Sequence, residues 1–118
     1  MQGQVTLLIL PFITYSHLTT SLHVHRDILQ EQSPNRLLQV REMMYNLLTN
    51  CIPADVIMQT LLKELYKAID DTLKHELTHW AAYYEHRIRL GSKEIFHLEA
   101  FVAKFMSIYK KWLVEMFF

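Results

Sequence analysis

The scarcity of helix-breaking residues is the feature that most constrains this sequence. Among 118 residues only two are glycine and three are proline. Three of these breakers, Pro34, Pro53 and Gly91, divide the sequence beyond its opening residues into long uninterrupted segments. Within each segment apolar residues recur at steps of three and four, which is the period of an amphipathic helix. The sequence therefore predicts an all-α fold, an antiparallel bundle of four main helices with short connections.

The starts of the first three main helices carry capping signals. Ser33 is a favoured N-cap, and Pro34 follows it at the first helical position. Pro53 is expected to open the second helix, because the residue before a proline is pushed out of the helical region. Asp70 or Asp71 can cap the third helix.

The third and fourth helices are predicted to meet at a tight turn. Gly91 supplies the left-handed residue that commonly closes a helix, and Ser92 is a favoured N-cap for the next one. This pattern indicates an αα-hairpin. One broad apolar stripe on the fourth helix is expected to face the core: Ile95, Leu98, Phe101, Val102, Phe105, Ile108, Tyr109, Trp112 and Met116.

The opening of the chain does not share this pattern. The apolar run at residues 5–13 is shorter than the roughly 20 residues that a membrane-spanning helix requires. The alternation at residues 21–25 suits a short strand, but a lone strand without a partner is not stable. We therefore expect residues 1–27 to be an unmatched leader, disordered or poorly packed, and residues 28–118 to form the helical domain.

The charge balance and the cysteine content limit the classes of function. Twelve acidic and twelve basic residues cancel, so the chain has no overall positive charge with which to coat nucleic acid or an anionic membrane. The one cysteine, Cys51, cannot form an intrachain disulfide, which fits a reducing compartment. We expect Cys51 to be a small buried residue at a helix end.

One motif at residues 75–79 fits the zinc-protease signature H-E-x-x-H on a predicted helix. Two histidines four residues apart share a helix face, and Glu76 could serve as general base. His86 shares that face but follows His79 by seven residues, about 10 Å along the helix axis, too far to bind the same ion. The inward stripe of the third helix is Leu73, Leu77, Trp80, Tyr84 and Ile88, and the histidines lie opposite it, so we predict a surface role and no metal. A small zinc hydrolase using His75, Glu76 and His79 is the alternative.

Two sets of surface residues are candidates for binding. Three lysines, Lys93, Lys104 and Lys111, lie along one side of the last helix, which suits an ordinary solvated face or contact with DNA phosphate. Aromatic residues of the third and fourth helices supply more apolar surface than the core of a small bundle can bury. We expect part of it to form an exposed apolar patch, and such patches usually mark surfaces that bind a partner. The interface candidates are Tyr83, His86, Arg87, Arg89, Lys93, Phe96, Lys104 and Lys111.

Several longer segments carry a family resemblance. They are Tyr-Tyr-Glu-His-Arg at 83–87, Leu-Gly-Ser-Lys at 90–93 and His-Leu-Glu-Ala-Phe-Val-Ala-Lys-Phe-Met at 97–106. With Asn-Cys-Ile-Pro at 50–53 and Ser-Pro at 33–34, they make the sequence similar to the C-terminal collar domain of replication factor C subunit 3. That subunit is a small subunit of the eukaryotic sliding-clamp loader.

The resemblance implies an assembly module of the collar type. In this family the C-terminal helical domains pack side by side into a collar that holds five ATPase subunits in a ring, which loads the PCNA clamp on primer-template DNA in the nucleus. The implied partners are the other replication factor C subunits, contacted chiefly through the third and fourth helices. The resemblance implies contact with PCNA and DNA only within the complex, and it implies no cofactor and no membrane.

The resemblance does not extend to the family's ATPase domains, which precede the collar and have no counterpart in this sequence. The chain's two glycines lie too far apart to form the phosphate-binding loop G-x-x-x-x-G-K-[ST], so we predict that the chain is not an enzyme in this form. We expect the leader to stand in place of those domains as an artefact of gene prediction or splicing. A truncated product that folds without joining a loader is the alternative.

Overall fold

The structure, a computed structural model, describes residues 23–91 and 93–117. These ranges contain five helices and no strand, so the predicted all-α class is confirmed. The helix at residues 23–30 is named α1 and precedes the four main helices that the sequence predicted. Those are α2 (Pro34–Thr49), α3 (Ala54–Ala68), α4 (Asp71–Arg89) and α5 (Glu94–Phe117).

The start of α2 follows the predicted capping pattern. The Ser33 hydroxyl accepts a hydrogen bond from the backbone N–H of Arg36 at 3.2 Å, and Pro34 occupies the first turn. The bond satisfies a backbone donor that a helix start otherwise leaves unpaired. The predicted starts of α3 and α4 are also confirmed, since Pro53 and Asp70 are the N-cap residues.

The turn between α2 and α3 corrects the expectation for Cys51. The backbone of this residue has φ 65, which lies in the left-handed region that residues other than glycine and asparagine rarely adopt. The backbone reverses there, and the N–H of Ile52 donates to the carbonyl of Leu47 at 3.2 Å. As a result Ile52 is buried and Cys51 is exposed. The prediction of a buried cysteine was wrong because the turn geometry, not the apolar character of sulfur, decides which residue points inward.

Helix α5 is the centre of the bundle and packs against α2, α3 and α4. Burying one large apolar side chain contributes about 1.5–3 kcal/mol, so its stripe is a main source of stability. Although α5 has 24 residues, neither it nor another helix in the described ranges is apolar enough over sufficient length to cross a membrane. The buried residues of α5 are Ile95, Leu98, Phe101, Val102, Phe105 and Met106.

The residues of the predicted apolar stripe become less buried towards the end of α5. Ile108, Tyr109 and Trp112 are half-buried, and Met116 is exposed. Helix α3, with its wide apolar face, contacts α2, α4 and α5, as expected for a helix that packs on more than one neighbour.

Helix α1 includes part of the predicted leader. Val24 and Ile28, four residues apart on one helix face, are both buried in the core. The boundary expected after residue 27 therefore falls inside α1, and residues 23–27 are helical where the alternation had suggested strand character. The rest of the predicted leader, residues 1–22, lies outside the described residues.

Candidate subunit interface

The α4–α5 hairpin has the predicted turn. Gly91 has φ 94, which closes α4 in the left-handed region. The N–H groups of Leu90 and Gly91 donate to the carbonyls of Arg87 and Ile88 at 3.2 and 3.3 Å. Ser92, the predicted cap of α5, lies outside the described residues. The two helices run antiparallel, since Tyr84 near the end of α4 contacts Phe101 in the first half of α5, with ring centroids 6.5 Å apart.

Trp80 connects the two helices of the hairpin. The ammonium of Lys104 in α5 lies 4.3 Å from the centroid of its ring, a cation–π contact between helices. On α4 the Trp80 ring is in edge contact with Tyr83 at 5.6 Å and lies 6.1 Å from Tyr84. Trp80 is half-buried, so one side of the residue packs on the core and the other faces the surface.

A groove of about 500 Å³ opens between the first half of α4 and the last half of α5. Trp80 and Trp112 stand in its walls, and buried Leu73 with half-buried Ile108 supplies apolar lining. We call it the Trp80–Trp112 groove. Its charged lining residues are Glu76, Lys104, Lys111 and Glu115.

Cation–aromatic pairs account for most of the predicted interface residues. The guanidinium carbon of Arg87 lies 5.6 Å from the centroid of the Tyr83 ring, and its Nη1 donates to the Tyr83 hydroxyl at 3.5 Å. The ammonium of Lys93 lies 5.7 Å from the centroid of the Phe96 ring. These rings keep large exposed fractions, 44% for Tyr83 and 52% for Phe96, so the pairs do not bury them.

We group six of the eight candidates into one surface of the α4–α5 hairpin. On α4, Glu76, Trp80, Tyr83 and Arg87 follow one another at steps of three and four and form one ridge. On α5, Lys104 and Lys111 share the ridge across the groove, whereas Lys93 directly precedes the first residue of the helix. We call this surface the α4/α5 face; it comprises Trp80, Tyr83, Arg87, Lys93, Phe96, Lys104 and Lys111.

The other two candidates lie on a different side of α4. Arg89 pairs with Glu85 at 3.1 Å, and His86 shares a ridge with His75 and His79. The structure therefore does not bring His86 and Arg89 together with the α4/α5 face. Sequence periodicity did not reveal the groove, because Trp80 and Trp112 both fall on apolar stripes and the period does not show that an opening lies between them.

The three residues of the H-E-x-x-H motif that could act at a metal, His75, Glu76 and His79, are all exposed. His79 is in edge contact with Trp80 at 5.1 Å, whereas Glu76 lines the groove on another side of the helix from the histidine pair. In residues 23–91 and 93–117 no group of three His, Cys, Asp or Glu side chains is placed to hold a metal ion. His75 and His79 could supply two ligands at most from this arrangement, one fewer than a catalytic zinc site requires.

An ion pair at the start of α4 changes the pKa of both its members. The Lys74 ammonium lies 2.8 Å from the Asp71 carboxylate and donates a hydrogen bond to it. This hydrogen bond and the attraction between the charges lower the pKa of Asp71 and raise the pKa of Lys74. Both groups are exposed, and the pair stabilises the first turn of the helix rather than a binding site.

The family described as Replication factor C subunit 3, C-terminal domain, matches residues 18–113, which contain α1 to α4 and most of α5. The chain belongs to this family. The replication factor C match confirms the resemblance expected from the segments around the α4–α5 hairpin. It also begins before residue 28, so it includes α1.

Individual replication factor C proteins are similar over the same region. Replication factor C subunit 5 of Oryza sativa subsp. japonica is 65% identical over 91 residues, 77% of this chain and 26% of the relative. Replication factor C subunit 3 of Arabidopsis thaliana is 63% identical over 91 residues, with the same shares. The human subunit 3 is 58% identical over 88 residues, 75% of this chain and 25% of the relative. The chain thus spans about a quarter of the length of the curated relatives it matches.

Proposed function

We propose that the chain is a non-catalytic oligomerisation module, the collar domain of a replication factor C clamp loader. Such a loader places the PCNA sliding clamp on primer-template DNA during replication and repair in the nucleus. The observation that carries the proposal is the family match over residues 18–113 together with 54–65% identity to replication factor C subunits. The all-α bundle and the partly exposed aromatic residues of its α4–α5 hairpin fit this role.

The α4/α5 face is the proposed contact surface with other replication factor C subunits. Tyr83 and Phe96 project from it between cationic side chains. Tyrosine, tryptophan and arginine are enriched among the residues that dominate binding energy at protein interfaces. Burial of the exposed ring surface against a neighbouring subunit would add apolar contact, and the cations at its rim would set orientation.

PCNA and DNA are proposed as ligands of the assembled complex and not of this chain alone. The chain has a net charge of zero, and Lys104 already lies over the Trp80 ring. Direct DNA binding by the lysine ridge remains a separate candidate. It predicts that the logarithm of the DNA affinity falls linearly with the logarithm of the salt concentration, with a slope that shrinks when Lys104 and Lys111 are both neutralised.

Co-purification tests the proposal. The full chain is co-expressed with the other small replication factor C subunits, and its recovery with them is measured. We expect the double substitution Tyr83→Ala and Phe96→Ala to reduce recovery at least about tenfold, since it removes the two aromatic anchors. Tyr45→Ala is the matched control, because Tyr45 is a 55% exposed tyrosine on α2, away from this face. Failure of the unaltered chain to co-purify would favour the truncated product that joins no loader.

A further inference from the structure

His75 and His79 are the only two histidines of the sequence that are three or four residues apart. On a helix this spacing brings two side chains together, with about 5–6 Å between their Cβ atoms. Both residues lie in the first half of α4, and both are exposed. A dissolved ion can therefore reach the two imidazoles at the same time.

The packing of α4 holds this histidine pair in place. Leu73, Leu77 and Ala81 alternate with the two histidines along the helix and are buried in the core. A full helical turn precedes His75 in α4 and more than two turns follow His79, so the pair lies away from the helix ends, where fraying occurs. Because the backbone is ordered before an ion binds, binding costs little conformational entropy.

The charges around the pair favour a cation as its ligand. Within residues 23–91 and 93–117 the ion pairs join other side chains, and neither histidine takes part in one. Residues 70–76 contain three carboxylates and one lysine, so this part of α4 is negatively charged. A metal ion could therefore bind the imidazoles without first breaking an ion pair, and it would be attracted by the local charge.

We propose that His75 and His79 form a two-imidazole binding site for a divalent transition-metal ion such as Ni²⁺ or Cu²⁺. Imidazole nitrogen suits these ions, whereas Mg²⁺ and Ca²⁺ prefer oxygen ligands. Each histidine supplies one nitrogen, and water fills the other coordination positions. With two protein ligands the ion binds reversibly and exchanges with solvent, unlike the ion of a closed four-ligand zinc site. The proposal does not depend on membership of a clamp loader.

This site differs from the zinc hydrolase that is the alternative reading of the same motif. Glu76 lies on another side of α4 and lines the groove, so it is not placed to act on water bound between the histidines. Among the described residues no third His, Cys, Asp or Glu joins the pair. The site therefore binds an ion without catalysing a reaction, and the ion is lost when the chain is purified in metal-free buffer.

Calorimetric titration of the full chain with NiCl₂ tests the site. Ni²⁺ is the probe because it binds imidazole and, unlike Cu²⁺, does not oxidise the exposed thiol of Cys51. The chain carries no polyhistidine tag, and the buffer does not bind metal. We expect one Ni²⁺ per chain with a dissociation constant below about 100 µM. His75→Ala and His79→Ala each remove one of the two ligands, so we expect either variant to raise the dissociation constant at least about tenfold.

A matched variant and a second readout locate the bound ion. His86→Ala removes an exposed histidine of the same helix that is too far from His79 to share an ion, and it should leave the dissociation constant unchanged. The ring of Trp80 lies 5.1 Å from the ring of His79. In Trp112→Phe, where Trp80 is the one remaining tryptophan, we expect Ni²⁺ to quench the fluorescence with the same dissociation constant.

Three results would overturn the proposal. The first is a dissociation constant above about 1 mM for the unaltered chain. The second is unchanged affinity in both His75→Ala and His79→Ala, which would place the ion elsewhere on the chain. The third is an equal loss of affinity in His86→Ala, which would show that the pair is not the site. Circular dichroism checks that each variant keeps its helical content, so that a loss of binding reports the loss of a ligand.

Discussion

The ammonium of Lys104 lies 4.3 Å from the centre of the Trp80 ring and thereby ties α5 to α4 at the head of the groove. The same ring is in edge contact with Tyr83, whose own face carries Arg87. The packing of the hairpin and the proposed contact surface therefore share Trp80 and Lys104. A change at either residue would alter both, whereas a change at Tyr83 leaves the contact between the two helices in place.

Loss of the Lys104 charge should cost stability that loss of the Lys111 charge does not. A cation over an aromatic ring contributes about 0.5–1 kcal/mol at an exposed site and more when it is partly buried. We expect Lys104→Gln to lower the free energy of unfolding by about 1 kcal/mol, measured by urea denaturation. Lys111→Gln is the control, and a change below about 0.5 kcal/mol is expected for it. Equal effects would show that the ring contact contributes nothing.

Two phenylalanines of α5 should respond very differently to truncation. Phe101 is 0% exposed in the core, whereas Phe96 is half-exposed on the α4/α5 face. We expect Phe101→Ala to lower the free energy of unfolding by about 3–5 kcal/mol, a large part of the stability of a small domain. Phe96→Ala should cost less than about 1 kcal/mol in the same denaturant experiment while reducing subunit association. A stable Phe101→Ala protein would contradict the placement of the core.

The turn at Gly91 should tolerate asparagine better than alanine. A Cβ atom added there meets nothing within 4 Å, so the cost of substitution comes from the backbone conformation at φ 94. We expect Gly91→Ala to lower the free energy of unfolding by about 1–2 kcal/mol. Gly91→Asn should cost less, because asparagine enters the left-handed region more readily. Thermal unfolding of the two variants compares them, and the opposite order would show that the turn rearranges.

The Asp71–Lys74 pair should give a local pH dependence at acid pH. The hydrogen bond from Lys74 and its charge hold the pKa of Asp71 below its usual value of 3.8. Because the folded state has the lower pKa, the stabilisation is present above pH 3.8 and is lost as the pH falls through the folded-state pKa. We expect Lys74→Ala to return the pKa of Asp71 towards 3.8, measured by NMR titration of the carboxyl carbon. Lys67→Ala, on α3, should leave it unchanged.

The H-E-x-x-H residues should not retain zinc in stoichiometric amount. His75 and His79 are exposed and lack a third ligand among the described residues. We expect chain purified without chelators to contain less than about 0.1 zinc per molecule by elemental analysis, and His79→Ala to leave that value unchanged. One zinc per chain that is lost in His79→Ala would support the alternative of a small zinc hydrolase.

The four main helices could be predicted because local signals and packing agree in them. Ser33 caps α2, Gly91 closes α4, and the apolar stripe of α5 is buried over most of its length. Helix α1 was missed because a short alternating segment resembles a strand when read alone. Val24 and Ile28 were the available signal, since their spacing of four matches a helix face, but only the packed core shows that both are buried.

The groove could not be predicted, because periodicity assigns a residue to a helix face but does not say where neighbouring helices stop covering it. Trp80 and Trp112 belong to their apolar stripes, yet each is half-buried beside the groove. Helical phase did place Lys104 and Lys111 on one ridge, whereas Lys93, which was expected there too, precedes the first residue of α5. Helical phase alone also places His86 and Arg89 on other sides of α4 from Trp80 and Tyr83, so their grouping with the interface candidates did not follow from it.

The exposed side chain of Cys51 has a practical consequence for following assembly. It is the one thiol in the sequence and it lies in the turn between α2 and α3, outside the groove and the α4/α5 face. A maleimide dye would therefore attach at a single defined position without any substitution. Energy transfer between donor-labelled and acceptor-labelled copies could then report whether two chains meet, and labelled chain could be traced into larger complexes.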